Sequence, residues 1–140
     1  RAAETGVIAA SVGDATVAAA SRADYAEAAA VVLTEDGHLG RTYELSGDTA
    51  VSYADLAAAA AEVLGREVAY VPVSREQLEA ALAGAGLDAS TVGFVAEMEA
   101  GIARGVLADA DPTLARLLGR PTTPVTEGLR TAVEASRVSA

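Results

Sequence analysis

Residues 41–74 read RTYELSGDTAVSYADLAAAAAEVLGREVAYVPVS, and they decide the fold. Thr42 to Leu45 is a short strand-like run and Ser46-Gly47-Asp48 is a turn. Ser52 to Leu64 carries a helical period, and Val68 to Val73 is apolar and β-prone. A hairpin closes antiparallel strands in two residues, whereas a connection of helix length suits a parallel crossover. The reading is therefore an α/β chain with a small parallel-strand subdomain and several helices. The unit holds no catalytic group of its own.

Working outward, the helix of this unit has defined ends. Ser52-Tyr53-Ala54-Asp55 fits a capping box, Gly65 sits where a left-handed terminator is wanted, and Tyr53, Leu56, Ala57, Ala60, Val63 and Leu64 form its buried stripe. Upstream, residues 1–6 read as the last turn of a helix stopped by Gly6, so residue 1 is expected to lie inside a longer protein. Val7 to Val12 is an apolar run, and Ala15 to Ala20 reads as a second strand of small residues after the Gly13-Asp14 turn. Ser21-Arg22-Ala23-Asp24 fits another capping box, with Asp24 as its N3 acceptor. Tyr25, Ala28, Ala29, Val32 and Leu33 should then pack inward.

Downstream, Ser74 to Gln77 caps a helix that Gly84 and Gly86 stop, and Asp88 or Ser90 starts another carrying Val92, Val95, Met98, Ile102 and Val106 along one face. Asp111-Pro112 reads as N-cap and N1 of a short helix ending at Gly119, and Thr123-Pro124 repeats the device.

With 140 residues there is room for one ordinary domain. Alanine supplies much of the apolar content, so the core should be thin: at ~25 cal/mol per Å², small side chains hide little area. Net charge is −10, with no Lys and no Cys. An acidic chain without a basic stripe disfavours nucleic acid, and no apolar run reaches the roughly 20 residues that span a bilayer. A cytoplasmic location is the default expectation. Without Lys this chain contains no Tyr-x-x-x-Lys dyad, Schiff base or P-loop. Its single histidine, His38, leaves no imidazole pair for a metal and reads as a solvated loop residue.

Among the carboxylates, Asp111 is accounted for as a cap, Glu97 and Glu99 do not face each other on a helix, and Asp24 belongs to its capping box. Arg22 is harder to dismiss. A cation in a first helical turn opposes the macrodipole, so it either pairs with a carboxylate or reaches an anion such as a cofactor phosphate. Phe94 and Met98, at i and i+4, can touch; they serve core packing or, alternatively, line a pocket for a flat aromatic substrate.

The ordered landmarks Ser21-Arg22-Ala23-Asp24-Tyr25-Ala26, Gly40-Arg41-Thr42-Tyr43-Glu44-Leu45-Ser46-Gly47-Asp48, Gly105-Val106-Leu107 and Leu117-Leu118-Gly119-Arg120-Pro121-Thr122-Thr123 resemble the C-terminal half of the NmrA-like atypical short-chain dehydrogenase/reductases, above all the NAD(P)H:quinone oxidoreductase type 2 branch. The resemblance covers essentially the whole chain. It implies a Rossmann half, absent here, that carries Gly-x-x-Gly-x-x-Gly and binds NADP, with this chain as the substrate-side α/β subdomain. Residues 41–74 would then bridge to the missing sheet. Arg22 and Asp24 match the family's Arg-Ala-Asp position at the junction of the two parts, and Phe94 to Met98 match the helix facing the substrate cleft. Arg22 stays the cofactor-binding candidate, Phe94 and Met98 the substrate-cleft candidates, and no residue here is expected to be catalytic. In the intact parent the resemblance implies direct hydride transfer from nicotinamide to a small-molecule quinone, the chain alone being inactive, and it leaves room for a homodimer. The alternatives are a non-catalytic NADP-binding redox sensor and a stand-alone acidic interaction module.

Overall fold

The computed structural model describes residues 2–138. Helix α1 (Ala2–Thr5) stops at Gly6, which adopts a φ of 69° and turns the chain into strand β1 (Val7–Ala10). A turn leads to strand β2 (Thr16–Val17) and then helix α2 (Arg22–Thr34), whose N-cap Ser21 accepts a bond from the Asp24 amide at 3.0 Å. Strand β3 (Val51–Ser52) runs antiparallel to β2 and leads directly into helix α3 (Tyr53–Leu64). Strand β4 (Ala69–Pro72) pairs in parallel with β1, from Val7 opposite Ala69 to Ala10 opposite Pro72. The helices α4 (Arg75–Gly84), α5 (Ala89–Ala103), α6 (Thr113–Leu118) and α7 (Val125–Val138) complete the chain.

The mixed α/β architecture and its small parallel sheet are as expected. Capping follows the sequence closely at α3, α4 and α5. The Ser52–Asp55 and Ser74–Gln77 boxes are both closed, Asp88 caps α5, and Gly65 and Gly119 end their helices with φ of 66° and 67°. At α6 the expectation shifts by one residue: Asp111 still accepts from the Thr113 amide at 2.7 Å, but Pro112 occupies the cap position.

The strands depart further. No ladder forms over Thr42–Leu45 among the described residues; the 68–73 run finds its parallel partner in β1, and the strand preceding α3 is β3. The expected strand over Ala15–Ala20 shrinks to Thr16–Val17, because Ala18 turns its amide to the Leu107 carbonyl instead. On α2 the inward face is narrower than the apolar residues suggest. Ala28 and Asp24 are buried against the α6 side, while Leu33 is 84% exposed and Tyr25 lies at the surface.

Among the described residues two small clusters join several elements of the core. Ala10, Val12 and Ile102 gather Val17, Tyr53 and Tyr70 around them. Ala57, Ala60 and Val68 pack with Ile8, Leu64 and Leu129, joining α3, the parallel sheet and α7. The core is thin because alanines occupy so many of its positions. No helix among the described residues is long and apolar enough to cross a membrane.

Candidate functional site

Three chain segments meet to form the floor of a cleft. The Ala18 amide donates to the Leu107 carbonyl and the Gly47 amide to the Ala18 carbonyl, each at 2.8 Å. The Asp111 amide donates to Ser46 Oγ at 3.0 Å and to the Gly47 carbonyl at 3.3 Å. The stretch after β2 is thereby held between residues 44–47 and 107–111. Gly47 is required at this crossing: a Cβ there would stand 2.3 Å from the Ala19 carbonyl oxygen. Backbone crowding, not φ, selects the glycine.

Above this floor lies a cavity of about 650 Å³ lined by Val17–Ala20, Tyr25, Glu44–Ser46, Val106, Leu107, Asp109 and Asp111. Its walls are mainly apolar, and the Tyr25 hydroxyl donates to the Leu45 carbonyl at 3.4 Å, which turns the ring along one side. The volume suits a small-molecule ligand. Among the described residues no His or Arg lines the cavity, and its polar groups are hydroxyls, backbone and carboxylates.

Behind the cleft, two aspartates grip two adjacent threonines. Asp24, fully buried, accepts from the Thr123 amide and hydroxyl, both at 2.9 Å, and pairs with Arg120 at 2.9 Å. Asp48 accepts from the Thr122 amide at 3.1 Å and from its hydroxyl. The first clamp ties α2 to the α6–α7 connection; the second ties the turn after residue 47 to it. Burial alone would push the Asp24 carboxyl up, but the bonds from Thr123, Ser21 and Arg120 outweigh it and hold the group at about 2. The Thr122 hydroxyl and amide likewise hold Asp48 below its ordinary range. Asp24 therefore does not close a capping box as expected, and Thr123 spends its hydroxyl on Asp24. Each group found a partner at long sequence separation.

The sequence-predicted site residues are not brought together. Arg22 is exposed on the first turn of α2 and its side chain makes no hydrogen bond or ion pair among the described residues; it does not line the cavity. Phe94 and Met98 are 70% and 47% exposed on the outer face of α5 and line none of the cavities described. On α5 positions 94 and 98 fall about 40° apart, so the pair shares one outward face of the helix, which ends at Ala103 before Val106 and Leu107 of the cleft. His38 has a partner, its Nδ1 lying 2.7 Å from the Tyr43 hydroxyl.

Two other carboxylates take structural roles. Glu97 pairs with Arg75 at 2.8 Å. Glu99 is 7% exposed and accepts from the Ser11 amide and, at 2.8 Å, its hydroxyl, pinning α5 to the end of β1. The available signal was position: Glu99 falls three after Ala96 and three before Ile102, on the apolar face. The Tyr53 and Tyr70 phenols beside it are raised by burial first and by the Glu99 charge second. No group of three His, Asp or Glu side chains among the described residues could hold a metal ion.

No family model matches the chain. Quinone oxidoreductase 2 of Escherichia coli (strain K12) is 41% identical over 126 residues, 90% of this chain and 44% of that protein. The structure of the Escherichia coli NADPH-dependent quinone oxidoreductase complexed with NADPH superposes with a TM-score of 0.87 at 39% identity, covering 94% of this chain and 47% of the other. Triphenylmethane reductase of Citrobacter sp., complexed with NADP(H), gives a TM-score of 0.87 at 32% identity, over 94% of this chain and 46% of the other. The chain thus spans less than half the length of these relatives.

Proposed function

From a chain that belongs to the NmrA-like atypical short-chain reductases and matches their C-terminal portion, we propose that it forms the substrate-side wall of an NADP(H)-dependent quinone reductase. The observation that carries the reading is the apolar cleft of about 650 Å³, floored by main-chain hydrogen bonds and lined by Tyr25 without a histidine or arginine. Such a wall orients a flat acceptor; it offers no strong acid or base. When bound, the reduced nicotinamide supplies the hydride that, with a proton from water, converts quinone to hydroquinone.

Arg22 is the group of this chain that fits an anion of the cofactor. Its guanidinium is exposed, stands against the positive end of α2 and is unpaired among the described residues, three positions from Tyr25 of the cleft. The chain has no Gly-x-x-Gly-x-x-Gly turn, so the pyrophosphate cradle is assigned to a Rossmann half outside it. Phe94 and Met98 are proposed to continue the acceptor's path beyond Val106 and Leu107. A cytoplasmic location belongs to the same reading.

The test is NADPH oxidation by the full-length protein that carries this chain, with p-benzoquinone as acceptor. Consumption of NADPH is expected, and Tyr25→Ala should raise KM about tenfold while Tyr25→Phe, which keeps the ring, leaves it near the parent value. Lack of oxidation across several quinones sinks the proposal, and cofactor binding without oxidation would move the protein to the redox sensors. The 140-residue chain alone is expected to be inactive; measurable turnover by it overturns the shared site.

A further inference from the structure

Resting on the reductase reading of the same cleft, we infer that the cleft selects its acceptor by charge: it takes a flat aromatic carrying positive charge in preference to the same ring system carrying negative charge. The walls at Ala18, Ala19, Leu45 and Leu107 with the Tyr25 ring are apolar, and the charged side chains lining the cavity, Glu44, Asp109 and Asp111, are all acidic. Their weights differ. Asp111 spends an oxygen on the Thr113 amide at 2.7 Å and feels the Arg116 charge, so it is partly offset.

Glu44 and Asp109 are exposed and have no hydrogen bond or ion pair among the described residues. Their fields are left for a ligand. Arg22, the cation nearest to Tyr25 along α2, does not line the cavity. A cleft with one sign of charge and low-dielectric walls focuses that field inward, and the chain's net charge of −10 acts in the same sense. The occupant that complements both the walls and the rim is a cationic aromatic.

The experiment is calorimetric titration of the full-length protein with two matched naphthoquinones, one bearing a trimethylammonium group and the other a sulfonate. At low salt the cationic compound should bind about tenfold tighter, shrinking to about threefold or less in ~0.5 M salt as screening closes in. The Glu44→Gln/Asp109→Asn double variant should lose most of the preference. Glu134→Gln on α7, outside the cavity lining, changes net charge without touching the cleft and should leave the preference intact. Equal or tighter binding of the sulfonate, binding of neither compound, or an equal response to Glu134→Gln would overturn the inference. Turnover of both compounds with NADPH is measured separately. Preference without turnover retires the reductase reading alone; turnover without preference retires the charge selection alone.

Discussion

Asp24 is a buried carboxylate whose charge is held by donors from elsewhere in the chain, and that makes it an acid-sensitive latch. Its carboxyl lies at about 2 when folded against an ordinary 3.8. A folded value below the unfolded one means the stabilisation is complete above about pH 4 and is lost as pH falls through 2. The shift corresponds to roughly 2 kcal/mol. Asp24→Asn should therefore lower stability at pH 7 by about 2–3 kcal/mol in urea unfolding and flatten the acid limb; an unchanged acid limb would remove the latch. Gly47 answers to sterics alone. Gly47→Ala places a methyl 2.3 Å from the Ala19 carbonyl oxygen, between two backbones that cannot yield cheaply, and should cost about 2–4 kcal/mol by the same measurement. Neither role was legible along the chain. Asp24 follows Ser21 at capping-box spacing, and its true partner, Thr123, is 99 positions away. Gly47 sits in a Ser-Gly-Asp sequence that any turn would favour. Arg22 was legible as an ill-placed cation because helix polarity is a local property, and the structure leaves it unpaired among the described residues.

Elements follow the same division between near and far. The boxes at Ser52 and Ser74 and the left-handed Gly65 were readable because the donor, acceptor and required φ lie within a few residues. Strand pairing was not, since a strand's existence depends on an edge supplied from elsewhere. Val7–Ala10 and Ala69–Pro72 found each other; Thr42–Leu45, with comparable β propensity, found no edge among the described residues. We propose that a sheet outside this chain supplies that edge, with the 41–74 unit as the bridge. An unpaired strand presents exposed amides and invites pairing. Hydrogen exchange should then show the Thr42–Leu45 amides unprotected in the isolated chain and at least about tenfold slower in the full-length protein, while the Gly47 amide, bonded to Ala18, is slow in both. Equal, fast exchange of 42–45 in both proteins would count against the bridge.

At the scale of the whole molecule, a thin alanine core meets a parallel sheet of two strands whose residues Val7 and Val71 remain exposed. Parallel sheets are ordinarily covered on both faces, so part of this surface is suited to burial by further chain. The exposed apolar residues Phe94 and Met98 have a different destiny under the proposed function, which places them on the acceptor's path beyond Val106 and Leu107 of the cleft. A surface reserved for a ligand and a surface reserved for folding respond differently to truncation. Phe94 is 70% exposed and Met98 47% exposed, so Phe94→Ala and Met98→Ala should shift the unfolding free energy of the isolated chain by less than about 0.5 and 1 kcal/mol respectively. In the full-length protein the same substitutions should leave stability equally untouched but raise KM for a quinone about fivefold to tenfold with kcat held, the signature of binding lost equally in ground and transition states. Unfolding curves and steady-state kinetics on the same preparations separate the cases. A large loss of stability confined to the full-length protein would make this pair a domain contact, and an unchanged KM would remove Phe94 and Met98 from the acceptor's path.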